Sequence, residues 1–321
     1  MPRKAKIGLI LSALLFTLAV PAVMRADYRS EKQFKLAPGG HFVLDSSEGQ
    51  VKLTGDPEAG AHVIITSRRD DVEQLFDFHF EESASEVRIT VRRRHPLGFS
   101  WGHNGPNLHF VVTVPEATSV ELKTGGGSVD VSRVNRETEL DTSGGSIHAD
   151  HLGANLRAHT SGGSIELEEV KGSARVDTSG GNITGSDLAG SLEARTSGGS
   201  IQLRSIKGDL LAHTSGGSIR IDDAGGRVDA QTSGGSVEVR FAPGNGRGGD
   251  LDTSGGGVTV AIDKSVNINL DASASGGSVV TDLPVTVSGT IARSHVVGTV
   301  GSGGALLRVH SSAGSVHIDA L

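Results

Sequence analysis

The residues best equipped for recognition chemistry lie together in Arg92-Arg93-Arg94-His95-Pro96-Leu97-Gly98-Phe99-Ser100-Trp101-Gly102-His103. Three guanidinium forks stand beside the chain's single tryptophan. Such a set suits an anionic or saccharide ligand, held by charge-assisted hydrogen bonds and by stacking on rings. The same stretch also reads as a solvated hairpin loop whose rings fold back on neighbouring strands. The candidate ligand-contact residues are therefore Arg92, Arg93, Arg94, His95, Phe99, Trp101 and His103.

Other chemistry finds less support. Of the thirteen histidines, the densest group is His148-Ala149-Asp150-His151, with His159 in the next half-repeat. Three ligands there could take a metal ion, but polar decoration of a strand edge explains them more simply, and no metal is assigned. Glycoside hydrolysis needs two convergent carboxylates. The adjacent pairs Glu168-Glu169 and Asp222-Asp223 lie at bends, with no aromatic residue beside them. No Gly-x-Ser-x-Gly elbow, His-Glu-x-x-His or phosphate loop occurs. With no cysteine there is neither a thiolate site nor a disulfide. The chain reads as non-enzymatic, with no catalytic residues and no cofactor.

The elements that carry these residues are set by a repeated phrase, Thr-Ser-Gly-Gly-Ser followed by Ile or Val. It begins at Thr142, Thr160, Thr178 (with Asn182 for the last Ser), Thr196, Thr214 and Thr232, in steps of 18 residues. Thr124 opens a Gly-rich variant, and Thr253, Ala274 and Ser311 open later copies. A fixed period near 20 residues marks a repeat architecture. In the unit starting at Ser200, alternation places Ile201 and Leu203 inward, Ile206 near a bend, and Leu210, Ala212 and Thr214 on the next inner face. The expected fold is an all-β parallel β-solenoid with 18-residue rungs. Paired glycines mark corners that need positive φ or close backbone approach. Helical repeats are excluded, because regular glycine pairs and period-2 alternation both oppose helices. Gly-Gly-Ser-Ile-x-Leu also lacks the Asp of calcium-binding β-rolls.

Stacking turns sequence positions into columns. The Thr column faces inward or lies on the rim. The residue before each Thr gives an outward column, Lys123, Asp141, His159, Asp177, Arg195, His213, Gln231 and Asp252. Its first five members place no like charges side by side, which suits in-register pairing.

Composition agrees with such a fold. Glycine is 46 of 321 residues, aromatics are 3%, and the net charge of −7 is evenly mixed. No block of like charge suggests a nucleic-acid partner. At the start, Arg3, Lys4 and Lys6 precede an apolar run from Ile7 to Val20, then Ala22 and Ala26. This pattern predicts a secretory signal over residues 1–26, cleaved after one of those alanines, and no membrane span in the mature chain. Residues 27–118 form an irregular β region of entry rungs, in which the alternating Phe76, Phe78 and Phe80 favour a strand over a helix. Residues 119–321 form the regular solenoid, continuous with it.

The strand Leu108-His109-Phe110-Val111-Val112-Thr113-Val114-Pro115, together with the Thr-Ser-Gly-Gly-Ser-Ile repeats, resembles the bacterial "putative adhesin" family. The resemblance runs from about Phe34 to Leu321. It implies a β-solenoid of unassigned activity and brings no catalytic residues with it. The expected role is adhesin-like or structural, in the periplasm, at the cell surface or outside the cell. The alternative is a carbohydrate-binding or carbohydrate-active β-helix. The partner is expected to be an envelope protein or polysaccharide. The terminal strand Ser315 to Leu321, with no cap after it, predicts end-to-end self-association.

Overall fold

A computed structural model describes residues 28–57, 60–94, 107–287 and 292–321. Each 18-residue repeat folds as two short strands joined by two glycine corners. The strand Leu192–Thr196 leads through Ser197–Ser200 into the strand Ile201–Ile206, and a second corner returns the chain to Leu210–Thr214. Successive rungs pair in parallel and in register. Leu192 lies beside Leu210 and Thr196 beside Thr214, while across the rung Ile201 lies beside Ile219. The described residues form two sheets, of 14 and 15 strands. Sheet 1 contains Ile201–Ile206 and sheet 2 contains Leu192–Thr196. At the usual strand spacing such a stack is about 60 Å long.

The core is the narrow space between the sheets. Leu192, Ala194 and Thr196 meet Ile201, Leu203 and Ile206, and none of the six is more than 6% exposed. The expected inner faces are therefore present. Full burial of an aliphatic side chain is worth about 1.5–3 kcal/mol, so each rung adds a similar increment to a continuous core.

The corner explains the repeated phrase. Thr196 donates its hydroxyl to the Gly181 carbonyl of the rung before it (2.9 Å) and accepts from the Gly199 N–H of its own rung (3.2 Å). Thr160, Thr178, Thr214 and Thr232 repeat both bonds. The closing Ser forms a second ladder, in which the Ser218 N–H donates to Ser200 Oγ and the Ser200 N–H to Asn182 Oδ1. The two glycines differ in role. A Cβ on Gly199 would sit 2.0 Å from the Gly181 carbonyl oxygen, whereas one on Gly198 would find its nearest neighbour at 3.7 Å. Close approach, not positive φ, is what the second glycine provides. Left-handed backbone occurs instead at a column without glycine: Arg133, His151, Glu169, Asp187, Ser205 and Asp223, at φ of 51–62°. That conformation turns two consecutive side chains outward, such as Arg204 and Ser205, and returns Ile206 to the core.

Rung order departs from chain order at both ends. His41–Ser46 lies between Ser119–Thr124 and Glu86–Arg93, and Gln50–Asp56 lies between Val129–Ser132 and His109–Pro115. Beyond them, antiparallel strands close the N-terminal end. A single helical turn, Val72–Leu75, precedes the expected strand, which runs Phe76–Glu82. From that strand Phe78 and Phe80 stack against Tyr28 and Phe34, with ring centroids 6.4 and 6.1 Å apart.

The C-terminal end corrects one expectation. The strand Val316–Ala320 is not an open edge. It pairs with Val258–Ile262 on one side and Val279–Thr281 on the other, because the last rung slots in before the penultimate one. The cap comes from earlier in the chain. His295–Val300 pairs antiparallel with Ile268–Ala274, Val285–Val287 adds beyond it, and Leu283 is buried across the end of the core. Self-association through residues 315–321 therefore lacks the free strand it requires.

Gly199→Ala is expected to destabilise the fold by about 3 kcal/mol or more through backbone overlap. Gly198→Ala should stay within about 1 kcal/mol. Thr196→Val, which keeps the volume and removes the hydroxyl, should cost about 1–3 kcal/mol by leaving the Gly181 carbonyl without that donor. Urea unfolding of the three variants checks all of these values.

Candidate binding surface on the outer columns

The three arginines of the candidate loop sit at the end of the strand Glu86–Arg93 and just after it. Each is engaged inside the fold. Arg92 clamps Asp45 through both of its terminal nitrogens, Nη1 at 2.8 Å from Oδ1 and Nη2 close to Oδ2. Arg93 reaches Glu48 at 2.7 Å and lies over the Phe76 ring, with Cζ 5.7 Å from its centroid. Arg94 pairs with Asp77 at 2.8 Å. These contacts tie one strand to its neighbours on both sides. His95, Phe99, Trp101 and His103 lie outside the described residues.

The other candidates separate in space. His148 and His151 are on the outer side of sheet 1, near Glu166 (3.4 Å) and Glu169 (3.0 Å) respectively. His159 is on the strand Leu156–Thr160 of sheet 2. Among the described residues no three metal-ligating side chains converge. In each adjacent carboxylate pair the second member, Glu169 or Asp223, is at the left-handed bend. Asp222 is held by Arg220 at 3.1 Å.

The outer face of sheet 2 carries the predicted charged column in register, from Lys123 beside Asp141 to Gln231 beside Asp252. Its ion pairs run both along a strand and across rungs. Lys123 meets Glu121 at 2.6 Å, and Arg175 meets both Asp177 (3.3 Å) and Glu193 (2.9 Å). Arg195 also contacts Glu193. Exposed pairs of this kind are each worth at most about 1 kcal/mol. Their main effect is to fix register and neutralise the face.

Grooves flank that column. One of about 560 Å³ runs beside Asn155, Ser173 and Ser191, walled by Arg157 and Arg175. Another, of about 500 Å³, follows Ser179, Ser197 and Ser215 along the glycine corner, beside Arg195 and His213. A third, of about 350 Å³, lies on sheet 1 near Arg204 and Arg220. None of the three is lined by a Phe, Tyr or Trp ring. Such surfaces can bind a long polar ligand through many weak contacts. The first groove was not read from the sequence, although its signal is present in the short residues Ser173 and Ser191 set 18 apart between Asn155 and Asp209.

The Arg92 hydrogen bond holds the Asp45 carboxyl below the usual carboxylate range, against the opposing effect of burial. A depressed carboxylate contributes stability above its unfolded pKa, and loses it as pH falls through the folded value. Arg92→Ala should therefore cost at most about 1 kcal/mol near neutrality, given the exposure of the pair. The difference from wild type should vanish as pH falls well below about 4. Thermal unfolding of both proteins across that range is the check.

A family model described as Toastrack DUF4097 matches residues 41–319. Several solved structures are similar over most of their length. A "putative adhesin" from Parabacteroides distasonis is 12% identical, covering 91% of this chain and 97% of that one, with a TM-score of 0.37. A "putative adhesin" from Bacteroides fragilis is 11% identical with the same coverages and a TM-score of 0.35. A "putative lipid binding protein" from Parabacteroides distasonis is 12% identical, covering 91% and 96%, with a TM-score of 0.32. Similarities at this level assign no activity to the chain. No curated protein matches it. Since the family model spans nearly all of the described rungs, the chain belongs to the Toastrack DUF4097 family.

Proposed function

We propose that this protein is an exported, non-enzymatic, adhesin-like scaffold of the cell envelope, which presents its outer columns to a polymer or protein partner. The observation that carries this reading is the in-register stack of sheet 2 from Ser119–Thr124 to Gly249–Thr253, which holds outward side chains in straight files about 4.8 Å apart. A surface so periodic suits an extended partner and repeated weak contacts, whose effects multiply when they are linked. Export is supported by the basic, apolar and small-residue succession over residues 1–26. Among the described residues no helix is long and apolar enough to cross a membrane.

Carbohydrate binding is the form of this role favoured by the polar, hydroxyl-lined grooves on sheet 2. The end of the strand Glu86–Arg93 is proposed as a secondary contact point. Arg92 and Arg94 there keep about half of their side-chain surface exposed while paired (51% and 47%). The strands open to self-association are the short edge strands Val279–Thr281 and Val285–Val287, in place of the terminal strand.

The purified protein should co-sediment saturably with envelope fractions of its own cells and leave added polysaccharide uncleaved. Retention in the supernatant, or release of reducing ends, would count against the reading.

A further inference from the structure

We infer that the groove beside Asn155, Ser173 and Ser191 is a binding site for an extended neutral glycan lying along the solenoid axis. The inference rests on the binding-scaffold role proposed above and names the class of ligand. The groove crosses six successive strands of sheet 2, from the Glu137 rung to the Arg227 rung, a span of about 24 Å.

Its floor is low because Ser173 and Ser191 are short, while Arg157 and Arg175 rise beside them. The polar groups here differ from those on the rest of the face. Arg175, Asp177, Glu193 and Arg195 neutralise one another through ion pairs. By contrast, the side chains of Glu137, Arg157 and Arg227, the hydroxyls of Ser173 and Ser191, and the amide nitrogen of Asn155 have no hydrogen-bond or ion-pair partner among the described residues. All six residues are exposed. The groove thus combines charged donors, a carboxylate acceptor and hydroxyls that can act as either, spaced at rung intervals.

That combination selects the ligand. Three arginines face four carboxylates along the lining, so the groove offers no net positive charge to a polyanion and is a poor track for nucleic acid or a sulfated chain. Leu211 is a lone half-buried apolar side chain in the outer wall, too little for the side-chain pockets of a peptide but able to meet the C–H face of one sugar. Sugar hydroxyls both donate and accept, as this lining requires. The rung spacing is also close to the length of one pyranose in an extended chain, so successive sugars would meet equivalent groups. Without ring stacking each contact is weak, and affinity would come from the number of rungs engaged.

The test is calorimetric titration of the purified protein with cellohexaose and with chitohexaose, using a heparin hexasaccharide as the anionic comparison. At least one neutral hexaose should bind, with a dissociation constant in or below the millimolar range. Glu137→Gln and Arg157→Ala should each weaken binding about tenfold or more, the loss expected for one hydrogen bond to a charged group. Ser191→Trp, which fills the floor, should abolish it. Thermal midpoints should not move, because these side chains hold nothing else in place.

Absence of binding by both neutral hexaoses at about 10 mM, a regime weaker than any useful site, would overturn the inference. So would preferential binding of the heparin fragment, or unchanged affinity in all three variants. Envelope co-sedimentation separates this inference from the role on which it rests. If wild type co-sediments with the envelope fraction but binds neither hexaose, the groove assignment fails and the envelope role stands. If wild type binds a hexaose but not the envelope fraction, the groove stands and the envelope role fails.

Discussion

The structure depends on one close contact, that of the second glycine of each corner with the backbone of the corner before it. With about 2 Å between a would-be Cβ and the preceding carbonyl oxygen at Gly145, Gly163, Gly181, Gly199 and Gly217, no side chain fits. The tight corner brings that carbonyl within reach of the next Thr hydroxyl, which bonds it at 2.7–2.9 Å along the regular rungs. Each corner is therefore both a steric demand on the chain and a hydrogen-bonded link between rungs. Parallel strands cannot be joined by tight two-residue hairpins. Here each crossover is made by the opposite strand of the same rung, so two corners per 18 residues suffice.

Much else follows from that link. Because corners stack in register, inner positions stack as well, and small Ala194, Ala212 and Ala230 alternate with larger Leu or Val so that two sheets can pack closely. Outward positions then form files whose chemistry is free to vary. Ion pairs neutralise much of sheet 2, leaving the Asn155–Ser191 groove with uncommitted polar groups. The ends are where repetition must stop. Antiparallel strands cover the parallel edges at the N-terminal end of both sheets and at the C-terminal end of sheet 2, the short strand Val279–Thr281 ends sheet 1, and at both termini one rung is inserted out of chain order. The strands of the inserted rungs are thereby held on two sides, and only short strands are left at the C-terminal edges, which limits the edge-to-edge pairing that open sheets invite.

The regular rungs were legible in the sequence because one period carried every signal at once: the Thr, the glycines, the alternating Ile and Leu, and the charged file beginning at Lys123. The inward assignment of Ile201, Leu203, Ile206, Leu210, Ala212 and Thr214 holds residue by residue. What escaped the sequence was non-periodic or long-range. Nothing local to Val316–Ala320 announces that it will lie between strands some 40 and 60 positions earlier. The left-handed column was hidden because it has no uniform signature: His151, Asp187 and Asp223 are types that tolerate positive φ, but Arg133, Glu169 and Ser205 at the equivalent positions do not signal it. For the Arg92–Arg94 cluster the sequence offered both a ligand grip and a solvated loop, and it did not show the partners remote in sequence, Asp45 and Glu48, that engage two of its three members.

If interchangeable corners define the stack, a whole rung can be removed without harm. Deleting residues 183–200 joins Asn182 to Ile201 and restores the phrase Thr-Ser-Gly-Gly-Asn-Ile at the junction. Small-angle scattering of the shortened protein should show a folded rod shorter by about one strand spacing, near 5 Å, with β circular dichroism and cooperative unfolding retained. Loss of β signal, or collapse into an aggregate, would contradict the claim that each rung is an equivalent unit held by its corner.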